Sequence, residues 1–341
     1  MIKNSFGRLV SWVIVARKLF IFVLSVVGLL LFVQGVGEVF CQTDYPNRPI
    51  TVYVSFAAGG QVDTGMRKVA PEAAKYLGQP VIVENKPGAG GVVATAFISK
   101  QKPDGYQLVA TQNGCLVRAP HMQKVPYDPF KEITPIVQLM INMPGIFVRS
   151  DSPLKTFSDF VNLAKSSKES IKYGVVGVGS GSYLTMESLK KNYGFNLEAV
   201  PFEGDAPTNT AVRGGHVPIG CGSTGGFGPL VRQGVFRILA FLGDTRLDIF
   251  PGIPNVKEFG YNIALDTKQI LIGPANLPSP IVEKLEQAFI KAMDTPGYKK
   301  LMEDMCVTNE PIRGSKSLTK LLSEEDHTYG QLIRNLGIEK K

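Results

Sequence analysis

The sequence predicts an α/β chain folded as two lobes with two crossovers and a central cleft. Three observations carry this. Short β-branched runs alternate with helical patterns, the signature of strands that pair in parallel through helical connections. The composition shifts at Pro144-Gly145 and again at Leu265–Ile270, so a middle segment folds between two ends that come together. Loops rich in glycine and hydroxyls recur at strand-to-helix steps, where an α/β fold places its binding groups. The strand candidates are Ile50–Phe56, Val81–Glu84, Gln107–Thr111, Ile146–Arg149, Lys172–Val176, Leu197–Phe202, Val217–Cys221 and Arg237–Leu242. The helix candidates are Asp63–Tyr76, Val92–Lys100, Thr156–Lys165, Ser182–Tyr193, Ala206–Arg213, Pro280–Met293, Gly297–Met305 and Ser317–Leu336. Thr156 with Asp159 three positions on resembles a capping box, and Pro280 stands where a first helical turn accepts proline. The expected lobes are residues 45–145 plus 266–341, and 146–265.

Residues 1–41 read as an export signal. Lys3, Arg8, Arg17 and Lys18 form a basic leader, and Leu19 to Val33 then runs without a charge. That run is about the length of a signal core and shorter than the ~20 residues that span a bilayer. Gly35, Gly37 or Cys41 could mark cleavage, with an uncleaved N-terminal anchor as the alternative. Either way the rest of the chain is placed outside the cytoplasm. The whole chain carries 37 basic and 29 acidic residues, and without the leader 33 and 28 remain, near +5. A mild excess of this kind suits small anions and lacks the clustered basic stripe that nucleic acid needs. Cys41, Cys115, Cys221 and Cys306 lie far apart with no C-x-x-C, and His121, His216 and His327 have no metal-ligand spacing. One disulfide among the last three cysteines is compatible with an oxidising compartment.

The first candidate site loop is Phe56-Ala57-Ala58-Gly59-Gly60-Gln61-Val62-Asp63, between a strand and a helix. Gly59 and Gly60 allow close backbone approach to an anion, and Asp63 can cap the following helix. A plain tight turn with a cap is the other reading. The second loop, Gly177 to Ser182, offers backbone N–H groups with the Ser180 and Ser182 hydroxyls, a neutral cradle for a carboxylate. It resembles a dinucleotide fingerprint only superficially, because its third glycine is displaced and no acidic residue stands at the ribose position. In the third loop, Pro201 to Pro207, Asp205 is placed to cap the next helix, or to accept from an ammonium or hydroxyl if it reaches the cleft. Cys221 to Gly226 and Thr111 to Gly114 hold comparable positions after strands.

Catalytic constellations are missing from the sequence. No G-x-S-x-G elbow is present, and His121 and His216 have no nucleophile beside them. Glu324-Glu325-Asp326 reads as the solvated face of the last helix, and Tyr183 and Tyr193 as core or cleft-wall aromatics. Such loops without an acid–base pair fit holding a ligand better than transforming it.

Ten segments then match one family in order: YPNRPI (45–50), FAAGGQVD (56–63), LGQPVIVENKPGAGG (77–91), KPDGYQL (102–108), VPYDPFKEITPI (125–136), YGVVGVGSGSYL (173–184), VPFEGDAP (200–207), GGHVPIG (214–220), FPGIPNVKEFGY (250–261) and GPANLPSPIVEKL (273–285). The chain from Tyr45 to about Gly337 resembles the substrate-binding proteins of tripartite tricarboxylate transporters, the Bug (TctC-like) family. The resemblance implies a type II periplasmic binding fold of the Venus-flytrap kind, with a small organic carboxylate held between the lobes and passed to a membrane permease. It implies a periplasmic monomer with no cofactor, no metal and no nucleic-acid partner. The ligand-binding residues it implies are Phe56, Ala58, Gly59, Gly60, Asp63, Thr111, Asn113, Ser180, Gly181, Ser182, Tyr183, Phe202, Asp205, Ala206 and Ser223. Against the family pattern, Tyr183 stands where many members have His, Glu203 replaces a frequent Lys, and Asp205 replaces a small residue. Pro218 replaces an Asp and would remove a backbone donor from its strand. The segment 266–269 lacks a Trp that many relatives place before the last crossing. The extra acid hints at a ligand with an amine. Two other outputs stay open from sequence: a sensor that presents its ligand-closed form to a receptor kinase, and an extracytoplasmic enzyme.

Overall fold

The computed structural model describes residues 45–340 apart from 179, 244–245, 248, 262–264, 266 and 308–313. The leader with Cys41, and the expectations that touch Gly179 and Asp266, lie outside the described residues. The chain builds two five-stranded sheets. Strand β1 (Ile50–Val54) leads to helix α1 (Gln61–Leu77), β2 (Val81–Asn85), α2 (Val92–Ile98) and β3 (Gln107–Gln112). Two short helices, α3 (Gly114–Val117) and α4 (Ala119–Met122), precede β4 (Ile133–Asn142). After a single residue, Met143, the chain enters β5 (Pro144–Arg149), followed by α5 (Phe157–Ser166), β6 (Ile171–Val176), α6 (Gly181–Tyr193), β7 (Leu197–Phe202), α7 (Asp205–Arg213), β8 (Ile219–Ser223), α8 (Thr224–Arg232) and β9 (Phe236–Phe241). It ends with β10 (Thr267–Pro274), α9 (Ser279–Met293), α10 (Pro296–Asp304) and α11 (Ser315–Leu336). The sheet orders are β2-β1-β3-β10-β4 and β7-β6-β8-β5-β9.

Both sheets are mixed, where the sequence predicted largely parallel ones. β10 runs antiparallel to β3 and β4, and β5 runs antiparallel to β8 and β9. The strands that follow a transfer between sheets are the ones that reverse. β5 continues almost directly from β4, so no helical crossover turns it into line with its new neighbours.

Two strands escaped the sequence reading. β4 contains Pro135, which argues against a strand, but β4 is the edge of its sheet and an edge tolerates a missing donor. β10 fell on the composition break and is buried along its whole length. Helix α8 was read as an extension of a glycine loop. Pro218 lies in the bend before β8, so it removes no donor from the strand ladder.

The cores follow the layers. One cluster joins β3, β10 and α11 through Val109, Ile270, Ile272, Leu318 and Leu322. In the second sheet, Phe157, Phe160, Tyr173 and Phe195 pack on one side, and Phe147, Phe227, Phe236 and Phe241 on the other. A sheet covered on both faces buries its strands on both sides: β8 is buried at every position, and β5 and β9 at all but one each. The predicted capping box is present: Thr156 Oγ1 accepts from Asp159 N–H at 3.1 Å, and Asp159 accepts from Thr156 N–H at 2.8 Å.

Candidate functional site

The loop after β1 is organised by Asp63, but not as a helix cap. Helix α1 starts two residues earlier than predicted, with Gly60 at the N-cap and no side-chain cap. Asp63 therefore lies inside the first turn and folds back, accepting from Gly59 N–H, Arg67 Nε and Asn85 Nδ2, each at 2.9 Å. Burial alone would raise this carboxyl, but the bonds from Arg67, Gly59 and Asn85 outweigh it and hold Asp63 below the usual range. Gly60 N–H donates weakly to Ala57 O (3.4 Å), and Ala57 N–H donates across to Glu203 O at 3.2 Å.

Asp205 is the centre of the seam between the sheets. The helix it opens, α7, is preceded by Gly204 in a conformation with φ 141°, again with no side-chain cap. The carboxylate instead crosses to the end of β8, where Ser223 N–H donates to Oδ1 at 3.3 Å and Ser223 Oγ lies 3.1 and 3.0 Å from the two oxygens. Ser223 Oγ also bonds Gln61 Oε1, and Gln61 Nε2 donates to Asn142 Oδ1 at the last residue of β4. Asp205 is 5% exposed, and burial pushes its pKa up to about 6 against the lowering effect of Ser223 and the Gln61 backbone N–H. A side chain on Gly226 would strike it, with a Cβ 2.4 Å from the carboxyl carbon.

The second-lobe cradle forms at the start of α6. Ser180 is its N-cap and accepts from Tyr183 N–H at 3.1 Å. Gly181 is required by a close approach: a Cβ there would lie 2.9 Å from both Leu265 O and Thr267 Oγ1 on the returning chain. Tyr183 is half-buried and packs against the main core cluster of each sheet. Burial, with the Glu187 charge second, raises its phenol. Gly177, at φ 70°, and Gly90 face each other so closely that a Cβ on Gly177 would sit 3.1 Å from Gly90 Cα. Two pockets flank these contacts. One of about 190 Å³ is lined by Gly90, Gly177, Val178, Phe202 and Glu203, and one of about 360 Å³ by Gly59, Gln61, Asn209, Arg213 and Pro229, among others.

The fold thus brings the loop from Phe56 to Gln61 against Glu203, Gly204, Asp205 and Ser223, lines one pocket with Gly59 and Ala206 and another with Phe202, and sets Ser180, Gly181, Ser182 and Tyr183 at one helix start. Thr111 and Asn113 are engaged inside the first sheet. Thr111 Oγ1 accepts from Ser55 Oγ at 2.8 Å. Asn113 donates to Glu325 at 2.8 Å and accepts from Arg118 at 3.0 Å and Lys268 N–H at 3.2 Å. Lys268 Nζ, in turn, lies 2.6 Å from Glu325 Oε1. The acidic triplet 324–326 is therefore no uniform solvated face, because Glu325 is part-buried in this network and Asp326 lies 2.7 Å from His121. Gln61 and Asn142 are the seam residues that sequence reasoning missed. Gln61 was hidden inside a glycine loop, and Asn142 in a strand masked by Pro135.

Cys115, Cys221 and Cys306 are free and buried, and burial raises the Cys115 and Cys221 thiols. Among the described residues no group of three or more His, Cys, Asp or Glu is placed to hold a metal ion. No described helix is long and apolar enough to cross a membrane.

Residues 66–338 match the model of the tripartite tricarboxylate transporter family receptor, TctC. A UPF0065 protein of Cupriavidus necator is 35% identical over 297 residues, covering 87% of this chain and 90% of the relative. Protein BugT of Bordetella pertussis is 28% identical over 93% of this chain and 98% of its own length. Among solved structures, the periplasmic binding protein BugD superposes with a TM-score of 0.81 at 27% identity, over 87% of this chain and 100% of BugD. MatC from Rhodopseudomonas palustris with bound malate gives 0.79 at 29% identity, over 85% of this chain and 100% of MatC. The two sheet-and-helix lobes are those of the type II periplasmic binding fold, and the chain belongs to the TctC/Bug family of periplasmic receptors of tripartite tricarboxylate transporters.

Proposed function

We propose that this protein captures a small organic carboxylate between its lobes and delivers it to a membrane permease of the tripartite tricarboxylate type. The observation that carries this is the seam itself: polar groups of the two sheets meet there, Ala57 N–H on Glu203 O and the Ser223 hydroxyl on Gln61 Oε1, with the Ser180-capped α6 start in the second lobe. A molecule entering between them is gripped by both lobes, so binding and closure are one event and ligand shifts the open–closed equilibrium. The match to MatC, solved with malate, supports a carboxylate as the ligand class. The lobes are taken as 45–145 plus 266–341, and 146–265. The carboxylate contacts are assigned to Ser180 and Ser182 with the backbone N–H groups beside them, and the protein works as a monomer.

Thermal unfolding of the purified protein against mono-, di-, tri-, amino and aromatic carboxylates tests this. At a hundredfold excess over Kd a true ligand adds roughly 2.7 kcal/mol and raises the midpoint by several degrees. Ser180→Ala with Ser182→Ala then weakens that ligand by about 2 kcal/mol or more, the scale of hydrogen bonds to a charged group. No shift with any acid refutes the carboxylate reading, and an unchanged affinity removes the two serines from the site.

A further inference from the structure

The first-lobe loop spends its N–H groups on protein acceptors. Gly59 N–H goes to Asp63, Gly60 N–H to Ala57 O and Ala57 N–H to Glu203 O, and the Gln61 side-chain oxygen accepts from the Ser223 hydroxyl. Glu203 and Ser223 reach this loop from the opposite lobe. Asp205 takes the Ser223 N–H and lies within reach of the Ser223 hydroxyl, and that hydroxyl ties the buried carboxylate to Gln61 of the first lobe. Gly60 and Gly204 stand where the two loops meet at ordinary contact distance, and Gly204 is held at φ 141°, which favours glycine. A Cβ on Gly60 would lie 4.0 Å from Asp205 N, and one on Gly204 3.6 Å from Ala57 N.

We propose that Asp205 is a specificity-determining residue, a resident carboxylate that fills the first-lobe anion position on closure, so that the cleft favours a monocarboxylate over a dicarboxylate. This rests on the carboxylate-binding reading above. A ligand carrying one carboxylate keeps it at the α6 start, beside Ser180 and Ser182. A second ligand carboxylate has to displace Asp205 from Ser223 and Gln61, or lie against its charge, and like-charge juxtaposition is how binding sites reject the wrong partner.

The test is isothermal titration of wild type, Asp205→Asn and Asp205→Ser with acids matched in chain length, butyrate against succinate and hexanoate against adipate. Two variants guard against a folding defect in one, and circular dichroism selects those that fold. The expected wild-type result is tighter binding of the monoacid by at least about tenfold, with the ratio shrinking by about tenfold or reversing in the variants. A wild-type preference for the diacids, or a ratio unchanged in folded variants, overturns the assignment while leaving carboxylate binding intact. Failure of every acid with every form overturns the carboxylate reading and this inference with it.

Discussion

Lys268→Met is expected to be the most damaging conservative change in the first lobe, because it strands a buried charge. Lys268 Nζ lies 2.6 Å from Glu325 Oε1, and the two side chains are only 9% and 11% exposed. The methionine keeps the apolar stem and the packing, so the loss is electrostatic. Glu325 retains one donor, Asn113 Nδ2 at 2.8 Å, whose own oxygen is held by Arg118 at 3.0 Å. Removing one member of a buried pair costs about 3–5 kcal/mol, and the surviving Asn113 bond places this case near ~3. At roughly 2–4 °C per kcal/mol for a protein of this size, the melting midpoint falls by about 6–12 °C. Far-UV circular dichroism is the suitable probe, since the only tryptophan, Trp12, is in the leader. Lys268→Met with Glu325→Leu removes both charges and is expected to recover most of the loss, because an apolar pair of similar volume replaces a buried ion pair at little cost. A single variant melting within about 2 °C of the parent, or a double variant no better than the single, refutes the reasoning.

Asp205 makes stability fall with rising pH. Its folded pKa, about 6, lies above the ordinary 3.8, so the native state holds the proton longer than the unfolded chain. The contribution is present below pH 4 and is lost as pH rises through 6, to the extent of roughly 3 kcal/mol relative to Asp205→Asn. Urea midpoints of both proteins across that range measure it, and parallel curves contradict it. Gly177→Ala places a Cβ 3.1 Å from Gly90 Cα at a residue with φ 70°. It is expected to cost about 1 kcal/mol in stability and to weaken ligand binding by about tenfold by obstructing closure; unchanged affinity shows that the two loops do not need to meet.

How much was legible in the sequence differs by element. β7 spans the predicted Leu197–Phe202, and α5 shows the predicted Thr156–Asp159 box, because local periodicity and capping were enough to specify both. β4 and β10 were not legible as strands, since edge position and burial on both faces are properties of the sheet. Asp63 and Asp205 show the same division at the site. Both were read as helix caps, the commonest role for an acid after a glycine turn. Asp63 instead found Gly59, Arg67 and Asn85, and Asp205 crossed to Ser223, 18 residues away in sequence.

The class of the molecule is readable along the chain: alternating elements, glycine and hydroxyl loops at strand ends, and ten ordered segments shared with a receptor family. Those are local patterns, and local patterns survive without knowing what lies across the cleft. Which donors end up occupied emerges only on folding, because that depends on acceptors that arrive from elsewhere in the chain. Asp205 beside Gln61, Glu203 beside Ala57 and Glu325 beside Lys268 are pairings over long sequence separations, and no composition or spacing encodes them.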